Sequence, residues 1–265
     1  MNKHLLSACI LIALPFWLLA GSITRTPLPA NANLYFVENK GQLLDENQRQ
    51  RNDVHFRLTT DDIDIFFGNG FIQYQWKKLE YKNNNEKKSQ PTDITYRAMR
   101  MKLLNTRDNA AIITEDKQHY TERYYLQHCP QGIAVSSYKK ITYQNIYNNI
   151  DWVIYTTGDN KSIKYDFVVR PGGNPADIKF EYEWADETGL KDGALTARTS
   201  FGTITEQKPY SYIQETKKTV DVKFNHRNNQ YGFEAGAYDG TLVIDPILNW
   251  GTYYGNTFKS LGTAV

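Results

Sequence analysis

Paired carboxylates are the first residues with chemical potential. Glu181 and Glu183 alternate with Phe180, Tyr182 and Trp184, which sets both acids on one face of a strand with backbone positions ~7 Å apart. Side chains from such positions can approach the spacing of a glycosidase pair. Hydrolysis also needs a cleft and one acid with a raised pKa, whereas a solvated strand face explains alternating acids with fewer requirements. Asp61, Asp62 and Asp64, near Asn69, offer the hard oxygen ligands that calcium prefers. Their spacing fits no EF-hand loop, and Asp62 and Asp64 are expected on the solvated face opposite Ile63 and Ile65. His55, His119, His128 and His226 lack two-histidine metal spacing and are expected at the surface, with His55 on the polar side of its strand. Cys129 is expected to be a small buried hydrophobe, and its neighbour His128 to point to the opposite face.

The chain lacks a Gly-x-Ser-x-Gly elbow, a phosphate-binding glycine loop, paired zinc cysteines and a His-Glu-x-x-His motif. Gly68-Asn69-Gly70 has neither the third glycine nor the following helix of a dinucleotide fingerprint. The expectation is therefore a non-enzymatic protein with no catalytic residue, no metal site and no cofactor. Aromatics are the remaining candidates. Tyr143, Tyr147, Trp152 and Tyr155 fall in one segment, Tyr210 and Tyr212 in another. Tyr147, Trp152, Tyr155 and Tyr210 make a candidate binding patch for stacking on sugar rings, set against the ordinary role of strand aromatics as core. Burial of Trp152, Trp184 and Tyr210 together would remove the basis for sugar stacking.

The elements that position these residues are strands. Val54, Phe56 and Leu58 alternate with polar residues, as do Ile163, Tyr165, Phe167 and Val169, then Phe180, Tyr182 and Trp184, then Val220, Val222 and Phe224, and Tyr231 and Phe233. Breakers separate them at Gly68-Asn69-Gly70, Pro171-Gly172-Gly173-Asn174-Pro175, Asp192-Gly193, Asn228-Asn229 and Asp239-Gly240, each read as a hairpin or tight turn. The predicted fold is all-β, an antiparallel β-sandwich or stacked sheets with short hairpins and little helix. Short helical turns are allowed only at Leu43 to Gln50 and Thr121 to Gln127. The polar stretch from Tyr81 to Asp93 reads as an exposed loop; it either separates two subdomains or joins two strands that pair across it.

Composition narrows the setting. The hydrophobic share of 40%, with 19 Tyr, 12 Phe and 5 Trp in 265 residues, suits a folded β protein rather than a disordered one. Residues 1–32 read as a signal peptide: Lys3 precedes an apolar run from Leu5 to Ala20 that is shorter than a spanning helix, and Ala30-Asn31-Ala32 is one candidate cleavage site. Their removal takes Lys3 and Arg25 from 31 basic residues and no acid from 29, leaving the remainder balanced. A balanced surface carries no electrostatic footprint for nucleic acid, and no transmembrane span is expected in the mature chain. Cys129 alone remains after cleavage, so no internal disulfide forms. The chain is expected to be exported to the periplasm, the medium or the cell surface.

Phe36-Val37-Glu38-Asn39-Lys40-Gly41-Gln42, the run from Asn145 to Tyr155, Lys164 to Val169, Pro171 to Pro175, Phe201 to Tyr210 and Leu242 to Pro246 together resemble the N-terminal domain that precedes bacterial seven-bladed β-propeller (SBBP-type) repeats. Trp250-Gly251-Thr252-Tyr253-Tyr254-Gly255 resembles the start of a first repeat and then departs from it. The resemblance implies a β-rich module over residues 33–248, the beginning of an incomplete repeat over 249–265, and a secreted or cell-surface protein. It brings no catalytic residues. The expected partners are a downstream propeller, a surface glycan or another protein.

Overall fold

In a computed structural model, the structure describes residues 34–60, 62–80, 92–158 and 162–252. The expected signal peptide, Asp61, most of the Tyr81 to Asp93 stretch and the residues after 252 lie outside them. The strands run β1 (Phe36–Glu38), β2 (Val54–Thr59), β3 (Ile63–Gly68), β4 (Phe71–Glu80), β5 (Asp93–Leu103), β6 (Ala111–Glu115), β7 (Glu122–Leu126) and β8 (Cys129–Val135). Next come β9 (Ser137–Tyr138), β10 (Lys140–Tyr147), β11 (Ile150–Thr156), β12 (Ile163–Val169), β13 (Lys179–Glu183), β14 (Glu187–Lys191) and β15 (Ala194–Arg198). The last are β16 (Gly202–Glu206), β17 (Tyr210–Ile213), β18 (Val222–Arg227), β19 (Gln230–Ala235), β20 (Leu242–Asp245) and β21 (Leu248–Thr252). Among the described residues the helical content is a single 3₁₀ turn at Pro175–Asp177, with Asn174 capping it by accepting from the Ala176 amide. The all-β expectation is met.

Nine strands form the first sheet, in the order β18-β19-β13-β5-β4-β3-β2-β1-β9, and six form the second, β17-β20-β12-β11-β10-β6. A third sheet is β14-β15-β16-β21, and β7-β8 is a separate ribbon. Pairing is antiparallel in every ladder. One buried cluster draws Phe36, Phe67, Tyr74 and Trp76 from the first sheet, Tyr143, Trp152 and Phe167 from the second, and Ile204 and Trp250 from the third. Alternation builds this directly: β2 and β12 bury every second side chain, so each sheet turns one apolar face inward.

Turn chemistry sets several registers. Asp192 and Gly193 (φ 51° and 78°) join Lys191 to Ala194, and Asn228 and Asn229 (φ 51° and 63°) join Arg227 to Gln230. Two consecutive positive φ values match the right-handed strand twist of a two-residue hairpin. Pro171-Gly172 makes the expected tight turn, with the Gly173 amide donating to the Arg170 carbonyl at 2.9 Å, but neither this segment nor Asp239-Gly240 is a hairpin: they carry the chain between the second and first sheets, from β12 to β13 and from β19 to β20. Thr121 to Gln127 holds no helical turn because Glu122 to Leu126 is strand β7, whose exposure alternates with period two. Leu43 to Gln50 is a turn closed by a Leu44↔Gln50 bridge. Strands β4 and β5 pair out to Glu80↔Asp93, across the Tyr81 to Asp93 stretch.

Trp184 departs from its pattern. Phe180 and Tyr182 are buried, and a continued strand would bury Trp184 as well. Its φ of 64° swings the side chain outward instead, leaving it 51% exposed. A left-handed backbone at a bulky residue costs about 1–2 kcal/mol and persists where neighbours over-determine it. Here Asp186 is tied to Arg97 and to the Ser200 amide (2.7 Å), and Ala185 packs on the core. Val220 lies half-buried ahead of β18 rather than within it.

Candidate functional site

The outer face of the second sheet gathers the side chains that alternation turns away from the core. In β11 and β12, Trp152, Ile154, Tyr165 and Phe167 point inward, so Val153, Tyr155, Lys164 and Asp166 point out. Strand β20 continues the ladder with Phe167↔Ile244, and β17 follows with Tyr210↔Asp245 and Tyr212↔Val243. A groove of about 520 Å³ results, lined by Tyr155, Asp166, Tyr212, Val243, Lys140 and Lys217 among others. Tyr210 and Tyr212 stand with ring centroids 5.6 Å apart, and the Lys217 ammonium lies 4.9 Å from the Tyr212 ring.

Asp166 lines this groove and stands next to Asp245 across the β12–β20 ladder. The Tyr155 hydroxyl donates to Asp166 Oδ1 at 3.2 Å, and Lys164 Nζ lies 2.8 Å from Asp245 Oδ2. Burial, then the adjacent Asp245 charge, pushes Asp166 up to about 7, with Lys164 acting in the opposite sense. Asp245 also rises through burial, against its bonds to Lys164 and Asp166. Two acids this close cannot both ionise cheaply, so the pair holds one proton near neutral pH and offers a ligand both a donor and an acceptor.

The four predicted patch residues divide. Tyr147 and Trp152 are 4% and 0% exposed and belong to the core. The Tyr147 hydroxyl lies 3.0 and 3.1 Å from the Leu104 and Lys179 carbonyl oxygens, where it ties β10 to the first sheet. Trp152 stacks on Phe167 with centroids 6.1 Å apart. Tyr155 and Tyr210 are on the outer face, half-buried and exposed respectively. They reach the face of one sheet as two parts of the tyrosine and carboxyl array, while the other two pack beneath it.

Other candidates are accounted for locally. Glu183 pairs with Lys102 at 2.8 Å and Arg100 at 3.9 Å, so the Glu181 and Glu183 face is an ion-paired surface. Asp64 is not solvated: it is 7% exposed beneath Lys77, whose Nζ is 3.4 Å away and whose stem excludes water. No cluster of three potential metal ligands occurs among the described residues. His55 is half-buried with Nδ1 3.3 Å from the Tyr143 hydroxyl, and burial lowers its pKa. His119, His128 and His226 are exposed. Cys129 is only half-buried, because its two-stranded ribbon has little core to cover it.

Sequence reasoning missed one charged group entirely. Glu206 is 0% exposed, where the three large sheets converge, and accepts hydrogen bonds from the Tyr165 and Tyr182 hydroxyls. Burial raises its pKa, opposed by those two bonds. The signal was present in the alternation of Gly202, Ile204 and Glu206 on the inward face of β16, where an acid breaks an apolar period.

Among the described residues no helix is long and apolar enough to cross a membrane. No curated protein and no solved structure matches the chain. Residues 36–247 match the model of a family described as a domain of unknown function (DUF7948), and the chain belongs to that family.

Proposed function

We propose that the chain is an exported, non-enzymatic interaction module that seats a β-propeller at the bacterial surface. The observation that carries this reading is the last strand. Trp250-Gly251-Thr252, which resembles the opening of a propeller repeat, is not a loose linker: β21 pairs with β16 from Leu248↔Glu206 to Thr252↔Gly202, and Trp250 is 3% exposed in the core. The chain therefore reaches Thr252 in a strand that is paired over its full length. The motif resemblance supports the propeller assignment, and the apolar run from Leu5 to Ala20 supports export.

Expression of the whole chain in a bacterial host, followed by fractionation and assay against polysaccharide and peptide panels, tests the reading. The expected result is a processed protein outside the cytoplasm with no turnover. Cytoplasmic retention of the unprocessed chain, or turnover abolished by Asp166→Asn or Glu181→Gln, overturns it. A second reading, an adhesin-like domain that binds glycan or protein, is favoured by the exposed Tyr210 and the half-buried Tyr212 beside the Asp166 and Asp245 pair.

A further inference from the structure

The outer face of the first sheet carries a second groove, remote in sequence from the tyrosine array, and its construction begins at the mature N-terminal motif. Asn39 Nδ2 donates to the Arg51 and Val54 carbonyls at 2.8 Å each, while its Oδ1 accepts from the Gly41 amide at 3.0 Å. Gln42 clasps the Glu38 carbonyl at 2.6 Å and accepts from the Lys40 amide at 2.7 Å. Gly41 sits at φ 101°, a conformation that favours glycine. These bonds fold the segment between β1 and β2 over the sheet, where Leu43, Val54 and Phe71 form a small separate core. The segment becomes one wall of a groove of about 640 Å³, whose floor is Gln73, Gln75 and Arg100 and whose far wall is Trp184.

Arg100 is the centre of the arrangement. Its guanidinium lies 4.3 Å from the Phe71 ring centroid and 4.9 Å from that of Trp184, and Nη2 donates to Gln73 Oε1 at 2.7 Å. Such a planar cation locks the indole on one side and leaves the rest of its surface to solvent. The charges on the walls are already matched: Arg51 grips Asp53 through two bonds of 2.7 and 2.9 Å, and Arg49 Nη2 is 2.9 Å from Asp45 Oδ2. With Arg49, Arg51 and Arg100 set against Asp45, Glu46 and Asp53, the groove has no net charge with which to select an ion.

We infer that this groove is a seat for a neutral saccharide, with Trp184 stacking against the C–H face of a pyranose ring while Gln73, Gln75 and the paired Arg and Asp side chains bind its hydroxyls. This site deepens the reading of the chain as an interaction module and rests on it. An exposed flat aromatic beside planar amides and fixed ion pairs complements a ring that is apolar on its faces and polar around its rim. A polyanion would require the uncompensated basic charge that is missing here. The outward turn at Trp184, held against backbone preference, is accounted for by this role, since the core position that alternation offers would have been the easier one to fill.

The test uses the purified whole chain with laminarihexaose, cellohexaose, mannohexaose and chitohexaose, read by calorimetry and by acrylamide quenching of tryptophan fluorescence. Trp76, Trp152 and Trp250 are buried, so ligand protection that disappears in Trp184→Gly reports on Trp184. Binding by at least one neutral sugar is expected. Trp184→Gly should weaken it by roughly tenfold or more, the loss of one stacked ring, with a thermal midpoint unchanged or raised because glycine relieves the backbone; Trp184→Tyr should retain part of the affinity. No neutral sugar binding, binding undiminished in Trp184→Gly, or Trp184-dependent binding confined to heparin fragments or oligothymidylate would each overturn the inference. Sugar binding that survives Trp184→Gly and is lost in Tyr212→Ala sinks this site and leaves the module reading standing; fractionation and turnover decide that reading separately.

Discussion

Replacing Asp166 with asparagine should flatten part of the dependence of stability on pH. The folded pKa of Asp166 lies near 7 instead of 3.8 because its carboxyl group is buried against Asp245. A folded pKa above the unfolded one means that the native state holds the proton more tightly. The contribution is therefore complete below 3.8, declines as pH rises, and is gone above about 7. Each tenfold in proton affinity is ~1.4 kcal/mol, so the whole displacement has a ceiling on the order of 4 kcal/mol. Between about pH 5 and about pH 8 the wild type crosses two tenfold steps of it, a loss of roughly 2–3 kcal/mol. Because Asp245 shares the titration, the value belongs to the pair. Urea unfolding at both pH values gives the difference for each protein. His55, whose lowered pKa acts with the opposite sign, and Glu206, whose raised pKa acts with the same sign, are present in both and cancel. The expected result is a gap between wild type and Asp166→Asn that is about 2 kcal/mol more favourable to the variant at the higher pH. A gap independent of pH would refute the shared-proton account.

Other substitutions probe the frame. Glu206→Ala leaves the Tyr165 and Tyr182 hydroxyls without their acceptor in the core and should lower unfolding free energy by about 2–4 kcal/mol in denaturant titration, with Glu206→Gln losing less. Tyr147→Phe removes the donor to the Leu104 and Lys179 carbonyls, an expected loss of about 1–2 kcal/mol by the same measurement. At Gly202 a Cβ would stand 2.3 Å from Trp76 Nε1 and 2.5 Å from the Gly251 carbonyl oxygen, so Gly202→Ala should cost about 3 kcal/mol or more and shift the thermal midpoint down. Asn39→Ala should leave the sheets intact by circular dichroism and expose Asp45 to Arg51 to protease.

The strands were legible because their apolar positions keep period two: Val54, Phe56 and Leu58, and Ile163 to Val169, are buried as read. The turns at Asp192-Gly193 and Asn228-Asn229 were legible because their residue types tolerate positive φ. Connections were not, since Pro171 to Pro175 marks a break in the chain without saying which sheet receives the next strand. For the site, Tyr155 and Tyr210 were named without their carboxyl partners, because Asp166 and Asp245 come together only through the pairing of β12 with β20, 79 residues apart at Asp166 and Asp245. Trp184 read as core for the same reason that Tyr182 did. One backbone angle reverses it, and the hydropathy pattern does not encode that angle.

The pairing of β1 with β9 joins Val37 to Ser137, and the first sheet cannot gain its final edge until that long loop has closed. Ladders joined over such distances form slowly, since closure entropy is spent before the contacts repay it. For a chain that we propose is exported, delay is useful: the earliest strand finds β2 within about twenty residues, but its other edge has no partner until a hundred residues have followed it, so the topology itself completes the first sheet late.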